Sequence, residues 1–294
     1  MGLTSKSCEF LFHLQKRYDI SWERTLTLGR QQMFISPEEA TAMAARFGVS
    51  FRPEGSWKKE TGYCEPFLKG FGAKQVDSMD ASDYEEATIV HDLNNPVPQE
   101  LHGRFDCILD GGTIEHVFHF PNAIRSCMDM LATGGHYVAI TPADNQMGHG
   151  FYQFSPELYF RIFSEANGFE VRTMLLHTDK DWLEISDPRT VGYRGTLVSS
   201  TAVMLCILAR KVRQTEGFHV PQQSDYVDAW SVVESIKSGS ARQGESQLRH
   251  LVRKYVPLPV KTMLRKVGRS FGPSVEVEGL SGVDGKSYRR IRLY

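Results

Sequence analysis

Apolar and polar residues alternate along this chain in two periods, and the switches between them lay out the elements. Phe10, Leu11, Leu14 and Tyr18 share one face of a helix expected over about 7–18. Four residues, Thr25–Leu28, read as a short strand that ends at Gly29. Ser36-Pro37-Glu38-Glu39 then opens a second helix: Ser36 can cap, Pro37 suits the first helical position and Glu39 completes a capping box. Gly48 ends it, and residues 49–63 read as a loop before a short helix over 65–69. Strands follow over 75–79, 87–90 and 105–109, running out at Asp80, His91-Asp92 and Asp110-Gly111-Gly112. A helix over 121–131 closes at Gly134-Gly135, and 136–141 is a fifth strand. Ser155-Pro156 starts another helix, with Leu158, Tyr159, Ile162, Phe163 and Ala166 on one face and Gly168 at its end. Strands over 170–176 and 201–209 enclose an insertion, 179–200.

Strands alternating with helices predict an α/β fold, a Rossmann-like, doubly wound, mostly parallel sheet. The last two strands lack an intervening helix, so an antiparallel strand is expected at the edge. The expected division is a sheet domain over 1–213, followed by a linker and a basic helical C-terminal extension over 214–294.

Composition changes this picture in two places. The net charge of −1 conceals an asymmetry: from Ala241 onward twelve Lys and Arg face four acids, +8, which leaves −9 for residues 1–240. Within the basic part, Val260, Met263, Leu264, Val267 and Phe271 fall on one helical face beside Lys261, Arg265, Lys266 and Arg269. Such a helix suits packing on its own domain or peripheral contact with an anionic membrane. No nucleic-acid motif accompanies it, and the body is acidic, so no nucleic-acid partner is expected. The five cysteines are odd in number and form no CxxC pair, which points to free thiols in a reducing compartment and away from a zinc site; no metal ligands are assigned. The longest apolar run, Ala202–Ala209, is eight residues, far short of the roughly 20 a membrane span needs. With no leader-like N-terminus, a cytoplasmic protein is expected, with the basic helix as its one point of contact with the inner membrane face.

In a doubly wound sheet, ligands sit at the carboxyl ends of the strands near the switch point. Gly29, Asp80, Asp92 and Asp110-Gly111 occupy those ends. An acid after the second strand is the expected ribose partner, since a carboxylate accepts from two vicinal hydroxyls. Any one such Asp is more often a turn residue; three at consecutive strand ends point to a site.

Three segments then carry a resemblance: Phe105-Asp106-Cys107-Ile108-Leu109-Asp110, Gly112-Thr113-Ile114-Glu115-His116-Val117, and Met130-Leu131-Ala132-Thr133-Gly134-Gly135-His136-Tyr137-Val138. They resemble the fourth strand, the leucine-glutamate-histidine turn and the entry to the fifth strand of class I S-adenosylmethionine-dependent methyltransferases, over roughly residues 20–210. The resemblance implies S-adenosylmethionine as cofactor, Asp80 on its ribose, Asp92 at the adenine amino group, Leu93 against the ring, and Asp110 and Gly111 at the methionine end. One loop departs from the family's pattern. Where that pattern has an acid and alternate glycines, this chain has Thr27, Gly29, Gln31 and Met33. Gln31 and Gln32 are the residues left to supply polar contacts there.

Methyl transfer from a sulfonium needs alignment of acceptor, methyl and sulfur, and removal of a proton where the acceptor is a hydroxyl or amine. Histidine suits that task near neutral pH. His149 is the first candidate, flanked by Gly148 and Gly150 and followed by Phe151, Tyr152 and Phe154, which could wall an acceptor pocket. His116 is the second; His119, between two Phe, reads as a packing or surface residue. In the insertion, Trp182 and Arg194 are either acceptor contacts or parts of an anchored loop. The expected function is methyl transfer to a hydroxyl or similar group of a small molecule, with a sugar or glycan precursor as the favoured guess. The rival is a methyltransferase fold without catalysis that serves as a binding or regulatory protein. A nicotinamide dehydrogenase is disfavoured, since no GxGxxG is present.

Overall fold

The computed structural model describes residues 2–192, 195–237, 280–281 and 283–294. Helix α1 (Ser5–Arg17) starts where the Thr4 hydroxyl accepts from the Ser7 amide, and it carries Lys16 and Arg17 in its last turn, where cations suit the helix dipole. Helix α2 (Pro37–Phe47) has both halves of its capping box: the Glu39 amide donates to Ser36 Oγ at 3.2 Å, and the Ser36 amide to Glu39 Oε2 at 2.6 Å. Helices α3 (Glu65–Lys69), α4 (Phe120–Met130), α5 (Pro156–Ile162) and α6 (Ser224–Lys237) follow.

Among the described residues the main sheet has nine strands: β1 (Arg24–Leu28), β2 (Gln75–Asp80), β3 (Ile89–Val90), β4 (Phe105–Asp110), β5 (Leu131–Asp144), β6 (Phe169–His177), β7 (Trp182–Ile185), β8 (Val203–Lys211) and β9 (Tyr288–Ile291). Their spatial order is β9-β7-β6-β8-β5-β4-β1-β2-β3. Strands β1 to β5 are parallel, in the order 3-2-1-4-5, and the order reverses between β1 and β4. The fold is a Rossmann-like α/β sheet.

Both faces are covered, as a parallel sheet requires. On β4, Phe105 and Ile108 join Phe120, Ile124 and Tyr159 of α4 and α5 in one core, while Cys107 and Leu109 join Phe10, Leu14, Phe47 and Phe67 of α1–α3 in the other. All five cysteines are free and buried.

Three expectations change. The strand expected at the edge, β8, is antiparallel to both its neighbours and lies inside the sheet between β5 and β6, and the pairs beyond it, β6–β7 and β7–β9, are antiparallel as well. Its Val203–Ala209 run is too apolar for an edge, and burial on both faces decides its place. Second, Gly134-Gly135 does not close a helix. Helix α4 ends at Met130, β5 begins at Leu131, and the two glycines absorb a register shift against β4. Third, the division after residue 213 does not separate a body from a tail. β9, near the C-terminus, pairs with β7 and forms the sheet edge, Leu293 is buried, and Tyr294 packs on Phe47 at 5.6 Å. The amphipathic stretch from Val260 to Phe271 lies outside the described residues. No helix among the described residues is long and apolar enough to cross a membrane.

Candidate functional site

Register brings the expected ligand edge together. Leu28 of β1 stands opposite Met79 of β2 and Asp110 of β4, so Gly29, Asp80 and Gly111 emerge side by side at the carboxyl ends. Gly29 has φ +65° and its amide donates to Met79 O at 2.7 Å, which turns the chain tightly after β1. Asp80 is half-buried, and its carboxylate forms no hydrogen bond or ion pair with the described residues.

Gln31 takes the place left by the missing glycines. Its side chain is fully buried, and Nε2 donates to Leu28 O at 2.5 Å and to Thr113 Oγ1 at 3.2 Å. Those bonds aim Oε1 at Gly111, where an added Cβ would lie 2.5 Å from it; only glycine fits there. Oε1 itself has no hydrogen-bond partner. A buried acceptor without a donor is costly and marks a place where a ligand N–H can enter. Leu3, from a two-residue strand paired with Gln32–Met33, packs over the same glycine.

Two residues change role. Asp110 is fully buried: Oδ1 accepts from the Thr113 amide at 2.8 Å and Oδ2 from Tyr137 Oη at 3.0 Å. Its carboxylate is spent inside the fold, and burial raises its pKa. Leu93 is a core residue in one cluster with Met79, Val97 and Leu101. Asp92 is exposed, and its Oδ1 accepts from the Asn94 amide at 2.9 Å in a local turn.

A second group gathers past β4 and β5. A single 3₁₀ turn, Ile114–His116, follows β4, and the loop 145–151 follows β5. The loop docks on the turn: the Phe151 amide donates to Glu115 O at 2.9 Å, and Gly150, at φ +70°, approaches so closely that a Cβ would sit 2.9 Å from that oxygen. Docking brings the His116 and His149 rings to 5.0 Å between centroids. It also puts His149 Nε2 3.4 Å from Glu115 Oε1.

Glu115 is fully buried. Its Oε2 accepts from Thr141 Oγ1 at 3.2 Å, whereas Oε1 makes no hydrogen bond. Burial first, and the Asp110 charge second, push its pKa up to about 8. Burial, then His149, lowers the pKa of His116, which keeps that imidazole neutral near pH 7. Ligand-capable atoms of Glu115, His116 and His149 all lie within 4.8 Å of one another. Glu115 is the residue that sequence reasoning passed over as part of a turn motif. Its only local signal is an acid beside His116 just after a buried strand, and its other neighbour, His149, arrives from a distant loop.

Phe118 and Phe151 are exposed and meet edge to face at 5.9 Å beside the histidines, with exposed Met147 on the same loop. The other aromatics expected in an acceptor wall serve elsewhere. Phe154 is buried against Phe120, and Tyr152 is half-buried with Oη donating to Phe118 O at 2.6 Å. His119 holds Asn94: its amide donates to Asn94 Oδ1 at 2.9 Å. Trp182 is buried in β7, its ring 4.9 Å from His177 and 6.5 Å from Phe10, so it anchors the insertion. Arg194 lies outside the described residues.

No protein-family model matches the chain, and no curated protein matches it. Solved structures are similar to it at low identity. The branched-chain polyamine synthase of Thermus thermophilus is 12% identical, with a TM-score of 0.36, over 75% of this chain and 60% of that one. This chain thus spans less than two thirds of that enzyme's length. The 1,6-didemethyltoxoflavin-N1-methyltransferase of Burkholderia thailandensis, solved with S-adenosylhomocysteine, is 10% identical over 70% of this chain and 77% of that one, with a TM-score of 0.33. A SAM-dependent methyltransferase of Aquifex aeolicus is 12% identical over 64% and 83%, with a TM-score of 0.32.

Proposed function

We propose that this protein binds S-adenosylmethionine at the carboxyl ends of β1, β2 and β4 and transfers its methyl group to a small-molecule acceptor. The observation that carries the reading is the pairing of two unspent acceptors around Gly29 and Gly111: the free Asp80 carboxylate and the orphaned Gln31 Oε1. Such a pair fits a ligand with ribose hydroxyls at one end and an ammonium group at the other. When bound, that ligand supplies an electrophilic methyl on a sulfonium.

The rest falls to the chain's own residues. Asp80 accepts from the ribose hydroxyls, and Gln31 Oε1, held by its two Nε2 bonds, accepts from the ammonium. His149, exposed and within 3.4 Å of Glu115, is placed to receive a proton from an acceptor hydroxyl, and neutral His116 orients that hydroxyl from the other side. Phe118 and Phe151 give the acceptor two apolar faces and keep water from it. Aromatic faces beside imidazoles suit a hydroxyl-bearing ring, and this is the support for a sugar-like acceptor.

One observation favours the second reading, a protein that binds without turning over: Gln31 and Leu3 both crowd Gly111. Calorimetric titration with S-adenosylmethionine and its demethylated product separates the outcomes. Micromolar or tighter binding is expected, weakened by Asp80→Ala by about 1.5–3 kcal/mol through loss of charge-assisted hydrogen bonds. Wild-type affinity in Asp80→Ala would refute the site. Tight binding with no methyl transfer to any hydroxylated acceptor favours the regulatory protein.

A further inference from the structure

We propose that Glu115, His116 and His149 form a binding site for one divalent transition-metal cation of the zinc or cobalt class. The donor set is two imidazoles and one carboxylate. Imidazole nitrogen is too soft a ligand for a magnesium site, and it suits zinc, cobalt, nickel or iron. Three protein ligands leave a position open for water or substrate, the pattern of catalytic rather than structural zinc.

The geometry is close to what such an ion needs. Two donors each about 2.1 Å from a shared tetrahedral centre stand about 3.4 Å apart. His149 Nε2 and Glu115 Oε1 have that separation already. The widest spacing in the trio, within 4.8 Å, closes by a rotation of the exposed His116 or His149 ring, while buried Glu115 stays fixed.

The unmet bonding capacity of the same carboxylate also points to a ligand. Glu115 Oε1 is fully buried, has no hydrogen-bond partner, and faces the histidines. Buried carboxylates in proteins are paired with cations or hydrogen-bonded, since an isolated one is expensive. Gly150 and Gly112 leave the room: an added Cβ at Gly112 would stand 3.2 Å from Glu115 Oε1, and one at Gly150 3.1 Å from Glu115 Cγ. Local packing explains the backbone bonds of the docked loop. It gives no account of a buried carboxylate oxygen that makes no hydrogen bond and has the His149 imidazole 3.4 Å away.

The cation's use rests on the methyl-transfer reading, although its binding does not. A hydroxyl oxygen bound at the open position loses its proton more readily, as metal-bound water does. With the cation bound, His149 is a ligand and no longer the proton acceptor of the metal-free reading, and the acceptor's proton passes to solvent water.

The test is cobalt(II) titrated into the full-length, chelator-treated protein, followed by visible absorption, with zinc competition and calorimetry for stoichiometry. One cobalt per chain is expected, with the intense absorption of a low-coordinate site and displacement by zinc. His149→Ala, His116→Ala and Glu115→Gln should each weaken binding tenfold or more, while His102→Ala, an exposed histidine elsewhere, should not. His149 lies on an exposed loop and Glu115→Gln keeps the volume, so circular dichroism identifies variants fit for comparison. Unchanged affinity in the folded variants, or equal weakening by His102→Ala, would overturn the site. S-adenosylmethionine titrated into the same samples keeps the two readings apart. Cobalt binding without cofactor binding sustains the metal site and sinks methyl transfer; cofactor binding without cobalt binding sinks the metal site alone.

Discussion

Leu293, the residue before Tyr294, tests whether the segment after β9 belongs to the body. It is only 2% exposed and sits in the core formed by α1–α3 and one face of the sheet. Its carbonyl accepts from His13 Nδ1 at 3.3 Å, and the next residue, Tyr294, lies under Arg46 at 4.7 Å. Leu293→Ala removes three buried carbons and leaves a cavity. Leucine-to-alanine changes in cores cost about 2–5 kcal/mol, depending on how far the site collapses. Leu293 follows the edge strand β9, where the packing collapses more easily than between layers, so the lower part, about 2–3 kcal/mol, is expected. For a chain of this size each kcal/mol moves Tm by about 2–4 °C, so Tm should fall by about 4–12 °C. Arg292→Ala, exposed and one residue earlier, is the control and should stay within about 0.5 kcal/mol. Urea unfolding followed by tryptophan fluorescence and thermal melts by circular dichroism measure both variants. If Leu293→Ala unfolds with the Arg292→Ala control, β9 and the C-terminus do not belong to the core and the sheet ends at β7.

Burial drives the pKa values of His136 and His177 down to about 4. The folded protein therefore keeps both neutral where the unfolded chain protonates them, near 6.5. Stability should be full above that pH and fall between about 6.5 and 4, by at most on the order of 3 kcal/mol per histidine. Urea midpoints measured across that range should lose part of their slope in His136→Gln, and an unaltered slope removes His136 from the account. Tyr137→Phe takes a hydrogen bond from the buried Asp110 carboxyl and should cost about 1–3 kcal/mol in the same assay, with no cost expected only if Asp110 finds another donor.

The features legible from residue order are local. Period and capping chemistry act within a few residues, so the starts of α1 and α2, the strands β1, β2 and β4, and the row of strand-end residues Gly29, Asp80 and Asp110-Gly111 were legible in order along the chain. Tertiary structure decided everything that depends on which distant segment arrives next to which. β8 reads as a final strand, and only burial between β5 and β6 makes it interior. β9 has too few apolar residues to announce itself, and it becomes a strand because β7 offers an unpaired edge. Asp110 has the right place for a ligand, yet Tyr137, the seventh residue of β5, takes its carboxylate first. Glu115 is the reverse case: a turn residue by sequence, it becomes the centre of the histidine cluster when Gly150 lets the loop after β5 close on it. A side chain's type and position restrict its chemistry, but whether its polar atoms are spent or left free is settled by partners far away in the chain.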